Sequence, residues 1–184
     1  MECNVLVVAG LWNSGPTHWQ SLWEQQFPAW QRVAHRDWIN PARAEWVDEL
    51  DGAIAASNAG PPILVAHSLG CALVASWAAS ASPLRIAGAL LVAPSDIDAP
   101  HYPSDASGFQ PMPMHRLPFP SMVVASSDDP WVTLERARAF ADAWGSSYVE
   151  IGAAGHINGD SGHGAWPEGL AMLTAFCETL RARP

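Results

Sequence analysis

The chain has 184 residues and a formal charge of −9, from 9 Lys+Arg against 18 Asp+Glu. No position is lysine, which excludes pyridoxal-phosphate and aldolase Schiff bases and the P-loop lysine. With 49% hydrophobic and 15% charged residues the composition argues against disorder, and the acidic balance without a basic run argues against nucleic acid as a partner.

The length argues for one domain over 1–184, and area scaling lets such a chain bury about 70% of its unfolded surface, enough for a sizeable core. The first residues, Met1-Glu2-Cys3-Asn4, place no basic segment ahead of the apolar run. Cys3, Cys71 and Cys177 are too few and too scattered for a disulfide framework or a zinc knuckle, so a reducing, cytoplasmic location is expected.

Apolar runs at residues 5–9, 62–66, 86–93 and 122–125 read as buried strands, with weaker candidates at 31–35 and 147–151. Helical periods lie between them, at Trp19, Leu22, Trp23 and Phe27, then Trp46, Leu50 and Ile54. Two more follow, at Leu134, Ala137, Ala141 and Trp144, and at Trp166, Leu170, Leu173, Cys177 and Leu180. Residues 61–79 come nearest to a membrane span, but their prolines, His67, Ser68 and Gly70 split them into a strand and a helix, and no membrane partner is expected. Alternating buried strands and amphipathic helices imply an α/β fold, a parallel sheet covered on both faces by right-handed crossovers. Residues 94–120 break the alternation with repeated prolines and read as a long loop at the carboxyl edge of the sheet, where ligands bind open α/β sheets.

The sharpest chemical signal is Leu64-Val65-Ala66-His67-Ser68-Leu69-Gly70-Cys71-Ala72, a buried strand turning directly into a helix at a serine. This is the pattern of a nucleophile elbow: the strained turn exposes the serine Oγ and aims helix N–H groups at a developing oxyanion. Crowding there demands small residues two before and two after the serine, here Ala66 and Gly70. A plain N-cap serine is the alternative; the strand before and the helix after favour the nucleophile.

A nucleophilic serine needs a base, and in this architecture an acid and then a histidine follow it, each after a later strand. Asp128 and Asp129 follow the 122–125 strand, and His156 follows the last strand in a run of small residues. Either aspartate serves as the carboxylate that orients the imidazole, with Asp96 and Asp98 as more distant alternatives. His67 reads as a packing residue under the elbow, and His18, His35, His101, His115 and His163 as satisfied surface residues. No set of them has metal-ligand spacing, so neither metal nor cofactor is expected.

Together, Ala66-His67-Ser68-Leu69-Gly70, Asp128-Asp129-Pro130 and Gly155-His156-Ile157-Asn158 resemble the small α/β-hydrolase-fold serine hydrolases of the retinoblastoma-binding protein nine and YdeN type. Val7-Val8-Ala9-Gly10-Leu11-Trp12-Asn13-Ser14-Gly15 with His18-Trp19 is similar to that family's opening strand and loop, so the resemblance spans nearly the whole chain. It implies the α/β-hydrolase fold, a three-layer sandwich with a mostly parallel six-stranded sheet and no large cap domain. It also selects Asp129, the aspartate before the proline, as the acid. The departure is Ala66 where the family usually has glycine.

The oxyanion donors expected in this fold are the backbone N–H of Leu69 and one from the loop after the first strand, Leu11 in preference to Trp12. Trp12 and Trp131 adjoin the expected catalytic loops and are placed in the substrate pocket, with Phe109, Met112 and Met114 of the long loop as weaker candidates. The reading is a cofactor-free serine hydrolase acting on small carboxylic esters, thioesters or short amides through an acyl-enzyme, with Ser68, His156 and Asp129 as its triad. The alternative is a catalytically weak binding or regulatory protein that keeps the fold.

Overall fold

A computed structural model describes residues 3–80, 82–103 and 105–182. The chain runs β1 (Val5–Val8), α1 (Trp19–Gln26), β2 (Gln31–Arg32), α2 (Arg43–Ala55), β3 (Ile63–His67) and α3 (Leu69–Ala78). It continues through β4 (Gly88–Val92), β5 (Ser121–Ala125), α4 (Leu134–Trp144), β6 (Ser147–Glu150) and α5 (Pro167–Arg181). The strands form one sheet in the order β2-β1-β3-β4-β5-β6, and each of these pairings is parallel.

Period-2 alternation along the strands divides the core into two layers. On β1, Leu6 and Val8 enter one apolar cluster with Trp46, Leu50, Leu73, Phe140 and Trp144, while Val5 and Val7 enter the other with Trp19, Trp23, Trp166 and Leu173. Helices α2, α3 and α4 therefore cover one face, and α1 and α5 the other. Helix α3 is buried from Leu69 to Trp77, as its unbroken apolar composition requires. The result is the α/β-hydrolase fold, with three layers.

The chain leaves β1 toward the β2 edge and returns to β3 on its other side, so strand order reverses between β1 and β3. At such a switch point the loops leaving the two carboxyl ends diverge and open a crevice. Here those loops begin at Gly10 and Ser68.

Two expectations about elements are refined. The strand expected over 31–35 is shortened to Gln31–Arg32 at the sheet edge, with one further bond from Val33 N–H to Val7 O at 2.9 Å, and the chain then turns to bury His35 against Trp46, ring centroids 3.9 Å apart. The loop over 94–120 has no helix or strand among its described residues, yet it is tied down: Asp98 accepts from Met112 N–H, Arg43 N–H donates to Ser107 O at 3.0 Å, and Trp144 Nε1–H donates to Pro113 O at 2.8 Å.

Candidate active site

β3 ends at His67, and Ser68 takes φ +56°, ψ −125°, a conformation that non-glycine residues pay about 1–3 kcal/mol to hold. It persists because its surroundings over-determine it: Ser68 N–H donates to Val92 O at 3.1 Å, and α3 starts at the next residue. Close packing across the turn explains its two glycines. A Cβ on Gly70 would lie 2.5 Å from Val8 O, and one on Gly10 would lie 2.8 Å from Ser68 Cβ, so neither position admits a side chain without backbone movement. Ala66 is fully buried, and its methyl is accommodated with the elbow conformation kept.

The loop after β6 brings His156 to the same edge. Its Nδ1 lies 2.9 Å from both Asp129 carboxylate oxygens, which are fully buried with the rest of that side chain. A carboxylate only accepts, so Nδ1 carries the proton, and in the neutral ring that leaves the lone pair on Nε2. Trp131 N–H also donates to Asp129 Oδ1 at 2.9 Å. Asp128 points elsewhere: its Oδ1 accepts from Ser126 Oγ and from Gly155 N–H at 2.7 Å, and these bonds, the Ser126 hydroxyl first, hold its carboxyl below the usual aspartate range. Of the two aspartates left open by the residues alone, Asp129 is the one brought to His156, while Asp128 ties down the loop that carries it. Asp96 is committed to Arg136, through bonds of 2.8 and 2.9 Å, and Asp98 to the 94–120 loop.

Beneath His156 lie two buried imidazoles. His67 Nε2–H donates to His156 O at 2.9 Å, and its ring contacts those of His156 and His18 at 4.8 and 4.7 Å. Burial holds His67 well below the ordinary histidine value, so it packs under the elbow as a neutral donor. His18 and His35 are not the surface residues expected from the sequence. His18 caps α1, its Nδ1 accepting from Gln20 N–H, and burial pushes it down to about 3. His35 is stacked on Trp46 and paired with Glu49 at 2.6 Å. Nothing in their local sequence marked either, since their burial depends on which helix crosses above them. His101 and His115 are exposed, and His163 bonds to Ser161 O outside the cleft described below.

The loop after β1 is set by Gln20, a fully buried side chain that no pattern in the sequence singled out. Its Nε2 donates to Val8 O and Val65 O at 3.3 and 3.0 Å, bridging β1 to β3, while its Oε1 accepts from Ser14 Oγ at 2.6 Å. Trp12 N–H donates to Trp38 O at 3.0 Å and is thereby engaged. Leu11 N–H has no acceptor among the described residues, and neither does Leu69 N–H in the first turn of α3.

These elements enclose a cleft of about 420 Å³ lined by Ser68, His156, Leu11, Trp12, Trp131 and Tyr102 among others. Trp12 is 57% exposed at its mouth, and Trp131 stands edge-on to His156 at 6.4 Å. Phe109, Met112 and Met114 do not reach it. Phe109 packs edge-on to Trp46 at 5.8 Å and Met112 is buried in the same core layer, while Met114 faces solvent. The 94–120 loop contributes Tyr102 and Pro103 instead, together with Ser95, whose Oγ lies 2.9 Å from Ser68 Oγ. Among the described residues the Ser68 hydroxyl has that hydrogen bond and none to His156. Among the described residues no group of three or more His, Cys, Asp or Glu is placed to hold a metal ion, and no helix is long and apolar enough to cross a membrane.

A family model for serine hydrolases matches residues 5–175. The chain belongs to the serine hydrolase family. Among solved structures this serine hydrolase is similar to a YdeN-like protein from Pectobacterium atrosepticum, at 34% identity over 97% of this chain and 92% of that one, with a TM-score of 0.85. The ydeN gene product of B. subtilis, at 20% identity over 96% of this chain and 99% of that one, has a TM-score of 0.77. A butyrate-bound thermophilic esterase from Thermogutta terrifontis, at 18% identity over 97% of this chain and 84% of that one, has a TM-score of 0.67. The last two likenesses are of fold alone. A comparison with curated protein sequences gave no match. The resemblance carried by the motifs around Ser68, Asp129 and His156 thus agrees with the family match, and the protein is a small α/β-hydrolase-fold hydrolase.

Proposed function

We propose that this hydrolase cleaves small carboxylic esters through an acyl-enzyme, with Ser68 as nucleophile, His156 as general base and then acid, and Asp129 as the group that orients the imidazole. The observation that carries the reading is the meeting in one cleft of a serine at φ +56° and a histidine whose Nδ1–H is held by a buried carboxylate. In this scheme Ser68 Oγ bonds to the substrate carbonyl carbon as its proton passes to His156 Nε2, and the carbonyl electron pair moves onto oxygen. The N–H groups of Leu69 and Leu11, both without an acceptor among the described residues, receive that oxyanion. His156 then gives its proton to the departing alcohol, and water repeats the sequence on the acyl-enzyme.

A small acyl group is favoured by a cleft of about 420 Å³ whose walls are the bulky rings of Trp12, Trp131 and Tyr102. Thioesters and short amides share the chemistry and stay within the reading. The competing one, a weak catalyst retained for binding, draws on the Ser68 hydroxyl being bonded to Ser95 rather than to His156. Steady-state hydrolysis of aryl acetates and butyrates against long-chain aryl esters separates them. Turnover of the short esters, reduced in Ser68→Ala to the roughly 10³–10⁴ acceleration over water that survives loss of a triad member, is the expected result. Equal turnover by Ser68→Ala contradicts it.

A further inference from the structure

The Ser68–Ser95 contact has a direction that the surroundings decide. Ser95 is 1% exposed, and among the described residues its hydroxyl has one hydrogen-bond partner, Ser68 Oγ at 2.9 Å. If Ser68 donated to Ser95, the Ser95 proton would be left unpaired in a closed position, which folded proteins avoid. If Ser95 donates, the proton left over is that of Ser68, which is only half-buried and lines the open cleft, where solvent or substrate can accept it.

The backbone supports a built contact. Ala93 leaves β4 at φ +48° and Pro94 follows, so the chain bends over the neighbouring strand, and Ile97 N–H donates to Ser95 O at 3.1 Å to close the turn. The Val92 carbonyl, three residues earlier, already holds Ser68 N–H. The end of β4 therefore grips the nucleophile twice, at its backbone nitrogen and at its reacting oxygen.

Resting on the reading of Ser68 as nucleophile, we infer that Ser95 is a catalytic hydrogen-bond donor to Ser68 Oγ, buried at the end of β4 so that its one donor proton meets the reacting oxygen. The valences of Oγ close around this assignment. One bond goes to Cβ and one to the proton bound for His156; one lone pair accepts from Ser95, and the other attacks the carbonyl carbon. As the Ser68 proton leaves, negative charge gathers on Oγ and the Ser95 bond strengthens. It weakens in the acyl-enzyme, where Oγ is an ester oxygen, and strengthens again when Oγ departs with the electron pair and recovers its proton from His156. Stabilisation that grows toward each transition state raises kcat rather than substrate affinity.

The test measures second-order labelling by a fluorophosphonate together with kcat and KM on an aryl acetate, for wild type and for Ser95→Ala, Ser95→Cys and Ser95→Thr. The expected result is labelling of wild type at Ser68, with labelling rate and kcat falling 10- to 100-fold in Ser95→Ala and KM changing less than twofold. Ser95→Cys, similar in shape but a weak donor, is expected to fall in step, and Ser95→Thr, which keeps the hydroxyl, to recover most of the rate. Wild-type rates in Ser95→Ala overturn the assignment while leaving Ser68 as nucleophile; if that variant does not fold, wild-type rates in Ser95→Cys do the same. Equal losses in the threonine and alanine variants also overturn it, since packing alone would then account for both. No labelling of wild type at Ser68 removes the nucleophile reading, and this one with it.

Discussion

Asp128 and Asp129 carry the same side chain one peptide bond apart, and the turn sends them to different partners. Asp129 faces His156 Nδ1 with both oxygens from a fully buried position, whereas Asp128 holds Gly155 N–H in the next loop. Asp129→Asn replaces a carboxylate with an amide that no longer requires the proton on Nδ1, so kcat is expected to fall by about 10⁴, the cost of the wrong tautomer in a serine triad. Asp128→Asn keeps an oxygen for both of its bonds, and a loss of no more than about tenfold is expected, the scale of one hydrogen bond. Steady-state kinetics on a short aryl ester checks the ranking; a larger loss at Asp128 would reassign the acid. The residues alone left this pair open, because both follow the same strand and only the side-chain directions separate them. Ser95 and Gln20 were illegible for a related reason. Each acts across a strand boundary, on Ser68 and on Val65 respectively, and strand order is not written in local sequence.

At the level of elements, the elbow was the most legible part of the chain because its demands are local: an apolar strand, a serine, small flanking residues and a helix. Its tightest requirement is at Gly70, where α3 crosses the end of β1 and a Cβ would sit 2.5 Å from one backbone oxygen and 2.9 Å from another. Backbone on both sides cannot yield as a flexible side chain would. Gly70→Ala is therefore expected to destabilise by about 1–3 kcal/mol, the usual cost of overpacking. For a chain of this size that lowers Tm by roughly 2–4 °C per kcal/mol. An unchanged melting temperature would mean that α3 shifts freely against β1. The 94–120 loop was legible in extent and misread in contents. Its apolar residues Phe109 and Met112 looked available for substrate because the sequence shows no partner for them, yet the α2–α3–α4 layer supplies one, and the cleft receives Tyr102 instead.

Across the whole molecule, the alternation of strands and helices gave the layers, and the reversal between β1 and β3 gave the place of the cleft. What composition did not reveal is that His18, His35 and His67 are buried where burial is the largest influence on each and lowers it, His18 to about 3. Unfolded, these imidazoles bind protons below about 6.5, while folded they stay neutral to lower pH. In that window the unfolded state binds more protons, so stability rises with pH and is lost as pH falls, by about 1 kcal/mol per pH unit for His18, whose folded value lies far below the window. The loss is expected to start above the range where carboxylates titrate. Tm measured between pH 7.5 and 5 is expected to fall steadily, and less steeply in His35→Gln; a flat profile over that range would contradict neutral burial of the three imidazoles.

The measurement that bears most directly on Ser68 as nucleophile is the site at which a fluorophosphonate attaches, read by peptide mass spectrometry. A phosphonyl group on Ser68, formed by the wild-type protein and lost in both Ser68→Ala and His156→Ala, is the predicted result. A wild-type protein that forms no adduct, or that carries it on another serine such as Ser95, contradicts it.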